Sequence, residues 1–592
     1  MSTISSKWWE YNKGDKGLST CIFSLVKNLS TEQSQRTLMN KRHLLLYTTN
    51  PEVYFFGGGY TSQNTDPAYN IIQSLCDTMT AKITKNKPLP RFLTNAQTDW
   101  ASYNKSRHLQ KFIEGIFSVS NLYEVSTKCF KDSTIFGTGI MRLKINPFYQ
   151  IEAYKVNPFD ILIDDSETIT GTPPRQIHER MFIQKDTLKE MFPALKMEID
   201  RAQTKNTDWF ISRNLTDMIE VIESFHLPSF PGAEDGKHTI CISNVVLFHE
   251  QYDKTFFPYC FLRWNERPLG FWGQGLAEQA ASYQRTLDRC VYVEERCVEA
   301  SVPKVFIEVG SDVKATQLTN ELGVVCYYKG VKPSFEAQWL VPSGLDQHIQ
   351  NTISRCFETL GVGPLGSMNK PAAKRTDSAT AFQTLYEIET ERFADNEIRW
   401  ENFHIQAAKI VIDLMRTLAA QTKNFKDIDV PGEHFLKQVD WKKMDLAESQ
   451  YEIQVYSQSD FPTTPAGRIE AVRNLIEIGM PRKDILRQLS IPDPNGFGDW
   501  ENADLDDIDA TIQKFVDGKD YERPEPIQNL KLGIERFSKS YLRYKTLGAP
   551  EDVLEKIRKW IDDAAQMLQA SAIPEQTNVM TEGVNTITPP LA

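Results

Sequence analysis

The sequence predicts an α+β protein built in several parts. Helical patterns occupy the chain up to about residue 133, short strand-like runs crowd residues 138–264, and helical patterns then return. At 592 residues, with 41% hydrophobic and 11% aromatic content, the chain folds but is too long for a single core.

The first 30 residues carry Trp8, Trp9 and Tyr11 without a clear period. Thr31–Tyr47 reads as a helix, with Thr31 as its cap and Glu32 in its first turn. Phe55-Phe-Gly-Gly-Gly-Tyr60 is a glycine break that lacks the GxGxxG spacing of a nucleotide loop. Asp66–Thr84 is predicted helical and stops before Asn86-Lys-Pro-Leu-Pro90. Ala96 to about Ser133 reads as one long helix or two joined ones. Ile135-Phe-Gly-Thr-Gly-Ile-Met-Arg-Leu-Lys144 is then a break followed by a strand. Further strands are expected at Ile151–Val156, Asp160–Ile163, Gln176–Ile183 and Met218–His226. A strand pair over Thr239–Phe248 follows a Gly236-Lys237 turn, and Tyr259–Trp264 closes the region.

Pro268-Leu-Gly-Phe-Trp-Gly-Gln-Gly275 is a turn-rich signal. A helix of about 38 Å follows, Leu276 to about Ala300. Leu276, Ala280, Leu287, Val291 and Val298 fall near one stripe. Val302–Val309 and Gly323–Tyr328 are β-like, broken by Gly310, Gly330 and Pro333. Ser343–Leu360 reads as a return helix, with Ile349 and Ile353 on its apolar face. Gly361–Arg375 has no period. Its glycines permit unusual backbone angles, and Pro364 and Pro371 stop helices. Lys370, Lys374 and Arg375 can reach phosphates without reading bases. Two helices thus run out and back, with a β-rich tip at one end and a basic loop at the other. An ordinary αα-hairpin with a solvated basic loop fits the same residues.

Thr376–Ala420 carries Phe382, Phe393, Trp400, Ala407 and Leu418 at spacings built from three, four and seven. Such a helix spans about 67 Å and needs a partner along its course. Pro431–Val455 looks strand-rich or irregular, and Thr464–Ile478 and Arg482–Leu489 look helical. A loop at 491–498 marks a boundary. Helices are then expected at Asp499–Asp517, Pro526–Thr546 and Pro550–Ala570, before a polar, flexible tail. Asp504, Asp506, Asp507 and Asp509 read as an acid-rich helix start, favourable against the helix dipole.

Chemistry-bearing motifs are few. The sequence has no GxxxxGK[ST], HExxH, GxSxG or CxxC, so no enzyme activity, metal or cofactor is expected. Asp164-Asp165 could hold a divalent metal for a nuclease, or simply end a strand. Nine scattered cysteines read as reduced thiols. No apolar run approaches the roughly 20 residues that span a bilayer, and the first residues lack a signal-peptide core. A product of the cytosol, without membrane contact, is expected. The net charge of −11 argues against gripping nucleic acid by bulk positive charge, though not against letting it slide past.

The order turn, helix, β tip, helix, basic loop and long helix, with Gly273-Gln-Gly-Leu-Ala-Glu-Gln-Ala-Ala-Ser-Tyr-Gln-Arg-Thr-Leu-Asp288, resembles the bacteriophage portal, or head-to-tail connector, family. Phe136-Gly-Thr-Gly139 before a strand, and Val156-Asn-Pro-Phe-Asp-Ile-Leu-Ile-Asp-Asp165, resemble that family's wing domain. The resemblance covers roughly residues 66–476 and is specific by the order of its motifs. It implies an N-terminal segment and α+β wing (1–267), a first stem helix (268–300), a clip (301–342) and a second stem helix (343–360). A tunnel loop (361–375), a long helix with the rest of the wing (376–498), a helical crown (499–573) and a flexible tail (574–592) follow.

The resemblance also implies a function. Copies form a ring, a dodecamer in the family, at one capsid vertex of the virion. Double-stranded DNA passes through it during genome packaging and ejection. Gly363, Met368, Asn369, Lys370, Lys374 and Arg375 would face the DNA. Lys304, Glu308, Asn320, Glu321, Lys329 and Lys332 would meet the terminase large subunit and later the tail adaptor proteins. Leu276, Ala280, Leu287, Val291, Ile349 and Ile353 would pack the stem of the ring. Major capsid and scaffold proteins would surround it, and ATP chemistry would belong to the terminase. A metal-dependent nuclease or terminase-like DNA-processing enzyme, and a helical scaffold without a channel, are the alternatives.

Overall fold

The computed structural model describes residues 7–12, 17–48, 69–94, 100–147, 149–202, 218–301, 304–306, 309, 334–336, 343–362, 392–421, 428–431, 436–439, 451–456, 476 and 497–572. Helices are α1 (Leu18–Glu32), α2 (Ser34–Thr48), α3 (Ile71–Thr84), α4 (Trp100–Val119), α5 (Leu122–Phe136), α6 (Asp165–Thr168), α7 (Lys185–Met191) and α8 (Lys196–Arg201). The series continues with α9 (Leu276–Ala300), α10 (Leu345–Leu360), α11 (Ala394–Gln421), α12 (Phe497–Val516), α13 (Leu530–Thr546) and α14 (Glu551–Ala572). Strands are β1 (Leu89–Thr94), β2 (Thr138–Ile145), β3 (Ile151–Val156), β4 (Ile161–Leu162), β5 (Gln176–Gln184), β6 (Met218–His226), β7 (Lys237–Ile242), β8 (Val245–Gln251) and β9 (Tyr259–Arg263). Short strands β10 (Lys304–Phe306), β11 (Ser334–Glu336), β12 (Ile428–Pro431), β13 (Leu436–Val439) and β14 (Tyr451–Tyr456) complete the set. The class is α+β with antiparallel sheets. No helix among the described residues is long and apolar enough to cross a membrane.

Several elements depart from the sequence reading. The helix expected at Thr31–Tyr47 begins at Ser34, as α2, and a separate helix, α1, precedes it, with Leu18, Cys21, Ile22, Val26 and Leu29 on its buried face. Thr31 therefore lies inside α1 and caps nothing, its hydroxyl donating to Lys27 O at 2.9 Å. Of the two readings of the run from Ala96, the structure takes the two joined helices, from Trp100, broken where Asn121 takes φ 49°. Of the expected Thr376–Ala420 helix, residues 392–420 are described; Arg392 and Phe393 form a turn, and the helix runs from Ala394. The expected helices at Thr464–Ile478 and Arg482–Leu489 lie outside the described residues, except Ile476.

The chain divides into two compact units. One comprises Met1–Pro90, Phe112–Val439 and Val455–Ser457; the other comprises Arg91–Lys111, Asp440–Gln454 and Gln458–Ala592. In the first, β4-β5-β6-β7-β8 form a five-stranded sheet and β3-β2-β9 a three-stranded one. Strand alternation sends Ile222 and Ser224 of β6 to one side and Glu223 and Phe225 to the other. The first side is covered by α1 and Trp8, in a core with Leu18, Ile22, Leu162 and Cys241. The second joins the three-stranded sheet through Ile140, Ile177, Phe225 and Tyr259. With both faces covered, each polar side chain there needs an internal partner.

The core of the second unit is helical. Ile508, Phe515, Phe537, Ile557 and Trp560 of α12, α13 and α14 form its core with Trp100. Phe537 stacks on Trp560 with ring centroids 3.8 Å apart. Because α12 begins at Phe497, Asp504, Asp506, Asp507 and Asp509 lie in its middle, not in its first turn. Asp504 and Asp507 accept hydrogen bonds from Asn529 and Gln528, at 3.3 and 2.5 Å, and Asp509 lies 3.7 Å from Arg536. These acids tie α12 to the start of α13.

Candidate functional site

The out-and-back hairpin of α9 and α10 grows from a junction of glycines in the first unit. Gly137 ends α5 with φ +89°, a conformation costly for a residue with a Cβ. A Cβ on Gly137 would strike Gly273 O, and one on Gly273 would strike Gly137 O. A Cβ on Gly275 would lie 2.7 Å from Thr134 O. Trp264 N donates to Gly137 O at 3.0 Å, and Gly273 N donates to Thr138 Oγ1 at 3.0 Å. The break after Ile135 and the turn before Leu276 are therefore two halves of one backbone contact. Trp272 adds a ring on which the Arg36 guanidinium sits, 3.7 Å from the centroid. Burial lowers Arg36 from the usual arginine range to about 10, against the opposing pull of Asp165.

From this base α9 runs unbroken from Leu276 to Ala300. Its first half is held on its own chain. Buried Gln284 accepts a bond from Ile71 N at 2.9 Å and donates to Tyr69 O at 3.0 Å, so it serves the first turn of α3. β10 and β11 pair antiparallel at the far end, Lys304 opposite Glu336 and Phe306 opposite Ser334. α10 returns, and near the base Tyr283 and Thr359 meet hydroxyl to hydroxyl at 3.1 Å. Gly361 ends α10 with φ +76°. Arg392 donates to Glu358 O and Thr359 O at 3.3 and 2.7 Å, placing a cation on that helix end. Asn396 and Arg399 of α11 both donate to Trp264 O at 2.7 Å. Both feet of the hairpin are thus fixed to the same strand end.

The residues expected to pack the stem are covered by this chain. Leu276, Ala280, Leu287, Val291 and Ile349 are buried, and Ile353 is half-buried. Val298, assigned to the same stripe, is exposed. Beyond Val291 the helix changes character. No side chain from Tyr292 to Val298 is buried, and Tyr292, Val293 and Val298 are 45%, 39% and 50% exposed. The sequence reading followed one stripe along the whole helix and missed this division. Adjacent Tyr292 and Val293, outside the stripe, are the signal that could have shown it.

Of the residues expected at the tip, Lys304 opens β10, while Glu308, Asn320, Glu321, Lys329 and Lys332 lie outside the described residues. So do Gly363, Met368, Asn369, Lys370, Lys374 and Arg375 of the expected tunnel loop. Asp164 and Asp165 have different neighbours. Asp164 caps the short helix α6, accepting from Ser166 N at 2.9 Å and Ser166 Oγ at 2.5 Å. Burial raises Asp165, opposed by Arg36. No metal-binding cluster of His, Cys, Asp and Glu occurs among the described residues. The eight described cysteines are free.

A connected polar group lies between the two sheets. The Arg142 guanidinium from β2 meets Glu179 of β5 and, at 2.6 Å, Glu223 of β6. Those carboxylates face each other across the β5–β6 pairing. Tyr259 donates to Glu179 at 2.6 Å. His238 places Nε2 2.8 Å from Glu223 and Nδ1 2.9 Å from Glu250. Burial alone would raise Glu223, but Arg142 and His238 outweigh it and bring the carboxyl to about 2. The same pairing across strands places Ser224 2.8 Å from His178 Nδ1 on the other face. Burial takes His178 down to about 3, and the whole dyad is sealed under Trp8. No family model matches the chain, and no curated protein matches it.

Proposed function

We propose that the chain is a subunit of a phage portal, a closed ring at one capsid vertex through which double-stranded DNA enters during packaging and leaves at ejection. One observation carries this reading: a hairpin whose base is locked into its own fold and whose first helix then runs on with apolar side chains uncovered. A two-helix arm that leaves apolar side chains uncovered draws its remaining stability from further packing. A neighbouring copy supplies that packing if the arms stand side by side around a pore. The contact is head-to-tail, so closure sets the ring size, twelve in the resembled family.

In this reading the tip around β10 and β11 receives the terminase large subunit first and tail adaptors later. Lys370, Lys374 and Arg375 touch passing phosphates, while the net charge of −11 per copy keeps the bore from gripping DNA. Major capsid and scaffold proteins hold the ring in the shell. The ATP chemistry of packaging lies with the terminase. Negative-stain imaging and native mass measurement of the purified chain test the proposal. Closed rings with a central hole support it; a chain that stays monomeric under every assembly condition overturns it.

A further inference from the structure

Partly buried His238 differs from the fully buried His178 and His404 of the first unit. His178 has one ring nitrogen on a hydroxyl, and its other nitrogen, Nε2, has no partner. His404 has Nδ1 2.9 Å from Trp400 O, and Nε2 again has no partner. Each arrangement suits a neutral ring. His238 instead presents both ring nitrogens to carboxylate oxygens, at 2.8 and 2.9 Å. A neutral imidazole has one N–H and one lone pair, so it can serve only one of them. The other carboxylate would then face a lone pair. Only the doubly protonated ring satisfies both contacts.

We propose that His238 is a proton-operated clasp: the imidazolium ties Glu250, near the end of β8, to the buried Arg142–Glu179–Glu223 group, and loss of its proton lets the end of β8 and the Tyr252 turn loosen. The surroundings give the clasp its leverage. β6 presents Glu223 and Phe225, whose ring stacks on His238 at 4.2 Å. β8 presents Phe248 and Glu250, and the following turn presents Tyr252. Behind Glu223 stand Arg142 of β2, Glu179 of β5, Tyr154 of β3 and Tyr259 of β9. Arg142 is the one cation among these, and it is already shared between Glu179 and Glu223. Glu250 is half-exposed and depends on His238 for its tie to the cluster. Tyr252 N bonds to Gly236 O at 3.0 Å, so the turn's attachment adjoins the same pair of strands. One turn further, Lys254 pairs with Asp413 of α11. The clasp therefore sits beside the link between the sheet and the helix that holds the hairpin's foot.

Burial disfavours the charged ring, but Glu223 and Glu250 outweigh it and raise His238 above the ordinary histidine value. The raised value fixes the sign. The clasp's contribution is complete below about pH 6.5 and is lost as pH rises through the folded-state value. This inference stands apart from the portal reading, since it concerns one protomer's sheet.

Hydrogen–deuterium exchange of the full chain across pH, corrected for intrinsic rates, tests it. Peptides covering residues 237–258 should lose protection as pH rises above the ordinary histidine range, by at most about tenfold per pH unit for one proton. Peptides covering His178 and His404 should show no such step. Glu250→Gln should move the step to lower pH, and His238→Gln should abolish it. A wild-type chain without the step, a step that survives His238→Gln, or a step unmoved by Glu250→Gln overturns the proposal. The Glu250 variant alters a half-exposed side chain, so the test stands even if His238→Gln fails to fold.

Discussion

Gly137 and Gly273 lie backbone against backbone, each occupying the space where the other would carry a Cβ. They are 136 positions apart, and their contact joins the end of α5 to the turn that launches α9. Any side chain at either position pushes the hairpin off its base.

Gly273→Ala should therefore destabilise the chain by about 1–3 kcal/mol through overpacking. Gly270 provides the control. Unlike Gly273, it has a positive φ, +83°, but nothing lies within 4 Å of its Cβ position. Gly270→Ala should cost about 1 kcal/mol, from backbone strain alone. Urea denaturation of both variants, read as midpoint shifts at constant slope, checks the difference.

Arg142 is the keystone between the sheets. Arg142→Met leaves buried Glu179 without its cation and Glu223 with His238 alone, and should cost about 3–5 kcal/mol. Adding Glu179→Gln and Glu223→Gln to that variant should recover part of the loss, because the stranded charges are removed. The same site predicts acid behaviour. Glu223 is depressed to about 2, so its contribution is present above the unfolded value of about 4.3 and is lost as pH falls toward 2. Denaturation midpoints measured from pH 5 to 2 should fall for wild type and fall less for the triple variant.

The fold was largely legible where side-chain pattern and chain punctuation agreed. Met218–His226 forms a strand over the predicted residues, and Leu276–Ala300 is one helix, because each has a single period bounded by turn residues. α1 was missed because Thr31 and Glu32 imitate a helix start. The apolar spacing that decides its face runs upstream of them, among serines and asparagines. The site was half-legible. The two glycine motifs were visible as breaks, but their meeting is a contact between distant segments that no local pattern encodes. Leu276, Ala280, Leu287 and Val291 share a stripe in sequence and are buried, but local spacing does not say whose surface covers them. Gln284 and Arg392, which fasten the hairpin, look like ordinary surface polar residues in sequence.

In the second unit Gly533 lies against Trp560, and a Cβ there would strike the indole ring. Gly533→Ala should displace the indole from Phe537 and cost about 1–3 kcal/mol, despite alanine's better helix propensity. Trp560→Ala should cost about 3–5 kcal/mol. Near-ultraviolet circular dichroism should lose the stacked-ring signal in both. An alanine at 533 that stabilises the chain would mean that the glycine is tolerated, not required.

The division of α9 yields the sharpest separation between folding and assembly. Leu287 is buried and Tyr292 is half-exposed, five residues further along the same helix. Leu287→Asp puts a charge into the protomer's own core and should unfold it, an effect of several kcal/mol. Tyr292→Asp with Val298→Asp alters only uncovered positions and should leave protomer stability within about 0.5 kcal/mol. If neighbouring copies cover this half of the helix, the same double variant should abolish rings in negative stain, because a carboxylate buried at every contact around the ring is penalised once per interface. A double variant that assembles like wild type would place the contact between copies elsewhere. A double variant that unfolds would mean that the far half of α9 is part of the protomer's core after all.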